Sequence, residues 1–215
     1  MVALKNDNRE ISDLFIRTGR IQNIVMALIF FGFIVFGKQF IALWAGEDYA
    51  AAYPITLLFF VALYVPLIQN LGITILQARN QMKFRSLLYI VIASIALIVQ
   101  YFFAKLWGGI GCAIAISGAL LLGQGLILNI YYKTKQGLAI GTFWLQILKM
   151  NIIPMLVSIV AFYLTRFVFV INSWTTLFIA IVLYAISYIV LFSCFSMNRY
   201  ERDLLFGFII KGTRK

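Results

Sequence analysis

Apolar residues fall in six long blocks along this chain, at about residues 21–44, 54–76, 87–104, 110–130, 150–171 and 174–197, with polar residues collected between them. A helix rises about 1.5 Å per residue, so about 20 apolar residues cross a hydrocarbon core about 30 Å thick. The fifth block is the shortest and reaches that length only by continuing from Thr165 past Arg166 to Ile171. A single crossing must satisfy every backbone N–H and C=O without water, which a helix alone achieves. The pattern therefore predicts an all-α, polytopic membrane protein with six transmembrane helices.

The gaps have their own order. Before the first block, Asp7 and Glu10 stand at capping-box spacing, with Asp in the usual Ser/Thr position. Ile11, Leu14, Phe15 and Thr18 follow on one face, with Arg9, Asp13, Arg17 and Arg20 mostly elsewhere. Residues 1–20 thus read as an amphipathic helix lying on the membrane surface and leading into the first span. Residues 105–109 read as a tight turn, and Asn172 and Ser173 mark another. The longest gap, 131–149, is broken by Gln136-Gly137, and residues 140–147 suggest a second surface helix. Trp44, Tyr49, Tyr53, Trp107 and Trp174 gather at one boundary and Tyr131, Tyr132, Trp144 and Tyr200 at the other, as aromatic belts do.

Charge adds direction. Fifteen of the eighteen Lys and Arg residues lie before block one, between blocks two and three, between blocks four and five, or after block six. Only Lys38, Lys105 and Arg166 lie on the other side. Short loops rich in Lys and Arg stay in the cytoplasm, so both termini are expected inside, with a basic tail over residues 198–215. A hydrophobic fraction of 63% with 12% charged residues excludes an ordinary soluble domain. The net charge of +11 is accounted for by this topology and by anionic lipid headgroups, so it calls for no nucleic acid. A cleavable signal peptide is not expected, because the first twenty residues are polar and the apolar run after them is too long.

Polar residues at membrane depth are the candidates for function. Pro66 lies near the middle of block two, where it removes a backbone donor and should kink the helix. Asn70, Thr74 and Gln77 follow on its face, with Gln69 alongside. Such side chains need partners, either on neighbouring helices or in a wet cavity, and the sequence leaves both open. Block five repeats the device with Asn151, Pro154, Ser158 and Thr165, where Pro154 could equally be a first-turn proline. In block four, Gly111, Ala115, Ala119 and Gly123 step by four, a small-residue ridge that lets another helix approach closely. Catalytic material is scarce. The seven acidic residues all lie in gaps or ends, there is no His, and Cys112 and Cys194 stand alone in apolar blocks. No general acid–base pair, metal site, disulfide or cofactor is expected, and an enzyme is not the favoured reading.

Four stretches resemble a known family. They are Gly32-Phe33-Ile34-Val35-Phe36-Gly37-Lys38-Gln39-Phe40-Ile41-Ala42-Leu43-Trp44-Ala45-Gly46-Glu47-Asp48-Tyr49 followed by Ala52 and Tyr53, then Pro66-Leu67-Ile68-Gln69-Asn70-Leu71-Gly72-Ile73, then Gln77-Ala78-Arg79-Asn80-Gln81-Met82-Lys83-Phe84-Arg85-Ser86, and finally Gly108-Gly109-Ile110-Gly111-Cys112-Ala113. In order and spacing they are similar to the Wzx-type oligosaccharide flippases, in the polysaccharide-transport branch of the multidrug/oligosaccharidyl-lipid/polysaccharide flippase superfamily. The resemblance covers about residues 5–150, and beyond that rests on the six-helix pattern. Family members have twelve or more crossings in two six-helix lobes around a central cavity, and this chain resembles the second lobe. It carries no match to the first, so a truncated reading frame, a split gene or an excised fragment is expected.

The resemblance implies translocation of undecaprenyl-diphosphate-linked oligosaccharide across the bacterial cytoplasmic membrane by alternating access, for surface polysaccharide synthesis. It names as partners the lipid-linked oligosaccharide, membrane lipids and a separate N-terminal lobe or a second copy. On that reading Gln69, Asn70, Thr74 and Gln77 would contact sugar hydroxyls. Arg20, Arg79, Lys83 and Lys149, near the cytoplasmic mouth, would attract the diphosphate. The rival is a non-transporting membrane subunit, either a scaffold in a polysaccharide assembly complex or a remnant of such a flippase.

Overall fold

A computed structural model of the protein describes residues 8–167 and 171–204, and these form an all-helical structure with several long apolar helices compatible with a membrane protein. In order they are α1 (Asn8–Ala45), α2 (Ala52–Ile68), α3 (Leu71–Ala78), α4 (Met82–Leu120), a π-helical stretch (Leu121–Ile127), α5 (Leu128–Thr134), α6 (Ile140–Phe167) and α7 (Trp174–Phe195). Among the described residues the apolar blocks lie mostly in helix, because within a nonpolar surround the backbone has no other way to pair its polar groups.

α1 sits at the centre and packs against α2, α6 and α7, while α4 and the π stretch pack on α2. At 38 residues α1 is about 57 Å long, far more than a bilayer core requires. No boundary appears at residue 20: the N-terminal segment continues in line into the first apolar block. Its buried face is Ile11, Ser12, Phe15, Ile16, Gly19 and Arg20, slightly rotated from the expected one, with Leu14 and Thr18 only half-buried. That face packs on Leu76, Tyr132, Leu138 and Phe143 of the protein itself, where a surface helix would have lain on lipid. Asp7, the expected cap, lies outside the described residues.

The tight turn expected at residues 105–109 is a backbone reversal inside α4. Gly108 adopts φ 56°, ψ −134°, a conformation that glycine alone enters readily. Around it the chain folds back on itself. A side chain at Gly111 would strike the Phe103 carbonyl, one at Gly123 would strike Ile92, and Tyr131 stacks on Phe84 with ring centroids 4.0 Å apart. The small-residue ridge of block four thus lies against the preceding leg, with Gly111, Ala115 and Gly123 buried and Ala119 half-buried.

Side-chain contacts sort the connections to two ends. At one end Arg20 meets Glu201, Arg79 meets Asn8 and Gln136, and Phe84 meets Tyr131. At the other, the Phe40 ring lies 5.8 Å from that of Trp174, the Tyr53 hydroxyl donates to the Ile34 carbonyl at 3.0 Å, and Gly109 lies near Ile55. α7 begins at this second end. Ser173 Oγ accepts from the Thr176 N–H, and Thr176 Oγ1 accepts from the Ser173 N–H at 3.2 Å.

Two expectations for the fifth block and the gap before it change. Residues 140–147 form no separate surface helix but the first turns of α6, which runs unbroken for 28 residues. Pro154 therefore sits well inside a helix and is not a first-turn proline. Part of the expected continuation past Arg166 to Ile171 lies outside the described residues, as do Lys5, Lys211, Arg214 and Lys215.

Candidate functional site

Block two is not one helix kinked at Pro66. It is two helices, α2 and α3, bent by 45° at Gln69 and Asn70. Pro66 cannot donate to its own helix, and the ladder weakens in the residues after it. The N–H of Gln69 reaches the Val65 carbonyl at 3.2 Å, and Gly72 and Ile73 bond three residues back instead of four. The direction change therefore falls three residues beyond the proline, where Gln69 leaves the helical region with φ −107° and ψ 17°.

This break separates the four expected path residues. Gln69 is buried, whereas Asn70, Thr74 and Gln77 are exposed along one side of α3. Gly72, Ile75 and Leu76 form the opposite, buried side. Gly72 lies so close to the Tyr132 hydroxyl and ring that a Cβ there would collide. Burial pushes the Tyr132 phenol above its usual range, so it stays neutral. The exposed side of α3 is thus held in place by tight packing behind it, and it offers two amides and a hydroxyl.

Gln69 points the other way, into a knot of side chains. Its Nε2 donates to Asn129 Oδ1 at 2.8 Å. Asn129 Nδ2 donates to the Gln124 carbonyl at 3.1 Å and to the Gly125 carbonyl at 2.8 Å. Those carbonyls belong to the π stretch, where the Leu128 N–H reaches back five residues to the Gly123 carbonyl. Trp144 Nε1 adds a donation to Asn129 Oδ1 at 3.3 Å. From α1, Gln22 reaches the C-terminal carbonyls of α2: with its amide nitrogen turned toward them, it donates to Leu67 and Ile68 at 3.1 Å each.

A second knot ties the centre of the bundle. Asn23 Nδ2 donates to Asn151 Oδ1 at 2.9 Å, the Tyr64 hydroxyl donates to Asn23 Oδ1 at 2.6 Å, and Asn151 Nδ2 donates to the Tyr64 oxygen at 3.1 Å. Further along α6, Ser158 pairs with Tyr184 at 3.1 Å. The stripe Asn151, Pro154 and Ser158 therefore faces inward and holds α6 to α1, α2 and α7. Thr165, half-buried, bonds its own helix at the Phe162 carbonyl.

The four cations divide evenly. Arg20 is buried, with Nε 2.5 Å from Glu201 Oε1 and Nη2 3.0 Å from Oε2. It also donates to Gln146 Oε1 and to the Ser196 carbonyl, each at 3.3 Å. Four of its five N–H donors are thus engaged within the protein, which leaves little for the diphosphate it was expected to attract. Arg79 donates to the Gln136 carbonyl at 2.8 Å, Gln136 Oε1 at 3.1 Å and Asn8 Oδ1 at 2.6 Å. It fastens the loop after α3 to the start of α1 and to the loop before α6. Lys83 and Lys149 are exposed at the same end.

Elsewhere, a groove of about 730 Å³ runs between α6 and α7, lined by residues such as Val157, Ala161, Leu183 and Tyr184. Its walls are almost wholly apolar, so it does not suit a polar headgroup. Among the described residues no three His, Cys, Asp or Glu side chains gather as metal ligands would, and Cys112 and Cys194 are free thiols.

Sequence reasoning did not single out Gln22, Asn23, Gln124, Asn129 or Glu201. A signal for two of them was present. Gln124 and Asn129 are amides inside block four, five residues apart, which is the hydrogen-bond spacing of a π turn. No protein-family model matches the chain, and neither does any curated protein or solved structure.

Proposed function

We propose that this chain is a six-crossing lobe of a Wzx-type flippase, moving a polyprenyl-diphosphate-linked oligosaccharide from the cytoplasmic to the outer leaflet of a bacterial cytoplasmic membrane. The observation that carries the reading is the exposed Asn70–Thr74–Gln77 side of α3, opposite its buried apolar side. Amides and hydroxyls facing lipid are costly, so this side calls for water, a polar ligand or another chain. Sugar hydroxyls match it well, since an amide both donates and accepts.

Five reversals, at residues 46–51, 79–81, 108 and 135–139 and just before α7, make six legs on this reading. The end that holds Arg79, Lys83, Lys149 and Arg202 is then cytoplasmic, and the end with Glu47, Asp48 and Lys38 is outside. Both termini are inside. Lys83 and Lys149 attract the diphosphate, whereas Arg20 and Arg79 brace the mouth. No covalent bond is made or broken. A partner lobe or a second copy closes the cavity over α3, and alternating access between the two moves the headgroup.

Topology is checked by cysteine labelling in intact cells after Cys112 and Cys194 are replaced. An impermeant thiol reagent is expected to label Asp48→Cys and spare Lys135→Cys, and labelling of position 135 would contradict the orientation. The ligand is checked with the purified chain in nanodiscs. Polyprenyl-diphosphate-linked oligosaccharide is expected to bind, and the combined Asn70→Leu, Thr74→Val and Gln77→Leu variant to bind at least about tenfold more weakly, equal to 1.4 kcal/mol. Equal affinity would point to the non-transporting subunit instead.

A further inference from the structure

The bend between α2 and α3 and the π stretch before α5 both depart from the regular α ladder, and one side chain joins them. Asn129 accepts from Gln69 at the bend and donates to the carbonyls of Gln124 and Gly125 in the π stretch. Trp144 of α6 completes its environment. Gln22 of α1 covers the last carbonyls of α2, with its amide nitrogen facing them. At the bend, backbone bonds have thus been replaced in part by side-chain amides, each able to donate and accept.

That replacement has a mechanical consequence. A continuous helix resists bending because every turn would lose ladder bonds. A joint held by amides can exchange partners without leaving a backbone group unpaired. Helix interruptions of this type absorb the backbone changes of rigid-body motions. Beyond the joint lie α3, with its exposed Asn70, Thr74 and Gln77, and α5 with Tyr132 packed on Gly72, so these two short helices meet as one unit in a core shared with Phe15 of α1 and Phe143 of α6.

We propose that Gln69 and Asn129 form a releasable lock, which sets the orientation of the α3–α5 unit against the outer part of the bundle. With the lock closed, the Asn70–Thr74–Gln77 side keeps the orientation described above. With it released, α3 and α5 swing together about the bend and the π stretch. Gln69 and Asn129 are positioning residues that need not touch a ligand. The inference deepens the flippase reading in that it supplies a moving part for the polar face. Its test reads distances alone, so a rigid unit in a chain that binds oligosaccharide would remove only the lock, and a mobile unit in a chain that binds none would remove only the flippase.

The test uses the full chain in nanodiscs with Cys112 and Cys194 replaced and paired spin labels. One pair crosses the joint, Gln77→Cys with Phe40→Cys. The control pair, Val25→Cys with Ile152→Cys, reports on α1 and α6 above it. In the intact chain each pair is expected to give one main distance. Gln69→Leu and Asn129→Ala are each expected to add a second population of at least about one fifth to the cross-joint pair, with the control pair unchanged and the helical content kept. Trp144→Phe removes a single donor and is expected to move the same pair less, and it carries the test if the stronger variants do not fold. An unchanged cross-joint distance would overturn the lock. So would simultaneous broadening of both pairs, which would make the knot an ordinary structural tie.

Discussion

Arg20→Ala is expected to cost about 3–5 kcal/mol of stability, because it leaves the Glu201 carboxylate buried without its counter-charge. Arg20 and Glu201 are 8% and 3% exposed, so solvent cannot take the place of either partner. The pair also organises the segment after α7. Glu201 Oε2 accepts the Asn198 N–H at 2.9 Å, and the Arg17 guanidinium lies 5.8 Å from the Tyr200 ring centre. One ion pair therefore holds α1, α6 and the chain beyond α7 together. Thermal or denaturant unfolding in detergent micelles checks the value. Replacing both partners, Arg20→Met with Glu201→Leu, should recover much of the loss, since an apolar pair needs no desolvation of charge. A loss below about 1 kcal/mol in Arg20→Ala would place the contact with ordinary surface pairs.

Gly19→Val is expected to lose about 3 kcal/mol, the upper range for overpacking. A Cβ at Gly19 would lie 2.8 Å from the Ile68 carbonyl and closer still to the Phe143 ring. The ring could turn, but the carbonyl belongs to the last turn of α2 at the bend, so moving it disturbs the joint. Gly118→Ala is the control. A Cβ there meets nothing within 4 Å, and the change should be neutral or stabilising by up to about 1 kcal/mol through helix propensity. Equal unfolding midpoints for the two variants would refute the close approach of α1 to α2.

Much of the helical layout was legible in the sequence, for a local reason. The apolar blocks, the glycines at 108 and 109 and the Asn172-Ser173 turn each report on a few neighbouring residues, and the helices and turns fall there. The α2–α3 bend was legible only in part: Pro66 announced a weakness, but where it falls depends on Gln22 and Asn129 from other helices. The pairing of Arg20 with Glu201 spans 181 residues, and nothing in the local pattern around Arg20 marks it for burial. Continuity at residue 20 was hidden because polar residues there face protein partners instead of lipid headgroups. The candidate site was half legible. The amide-rich stripe was visible, but its division into a buried Gln69 and an exposed Asn70, Thr74 and Gln77 required the bend.

The central claim is that this exposed side of α3 lines a water-filled path. Its most direct test replaces Asn70, Thr74 and Gln77 one at a time by Cys, in a chain lacking Cys112 and Cys194, and measures the rate of reaction with a small hydrophilic thiol reagent in native membranes. Leu71→Cys and Ile75→Cys, on the half-buried and buried sides of α3, are the controls. A water-lined path predicts that all three positions react at least about tenfold faster than Ile75→Cys. Protection of all three to the level of that control would contradict it, and would leave the chain a membrane scaffold or remnant.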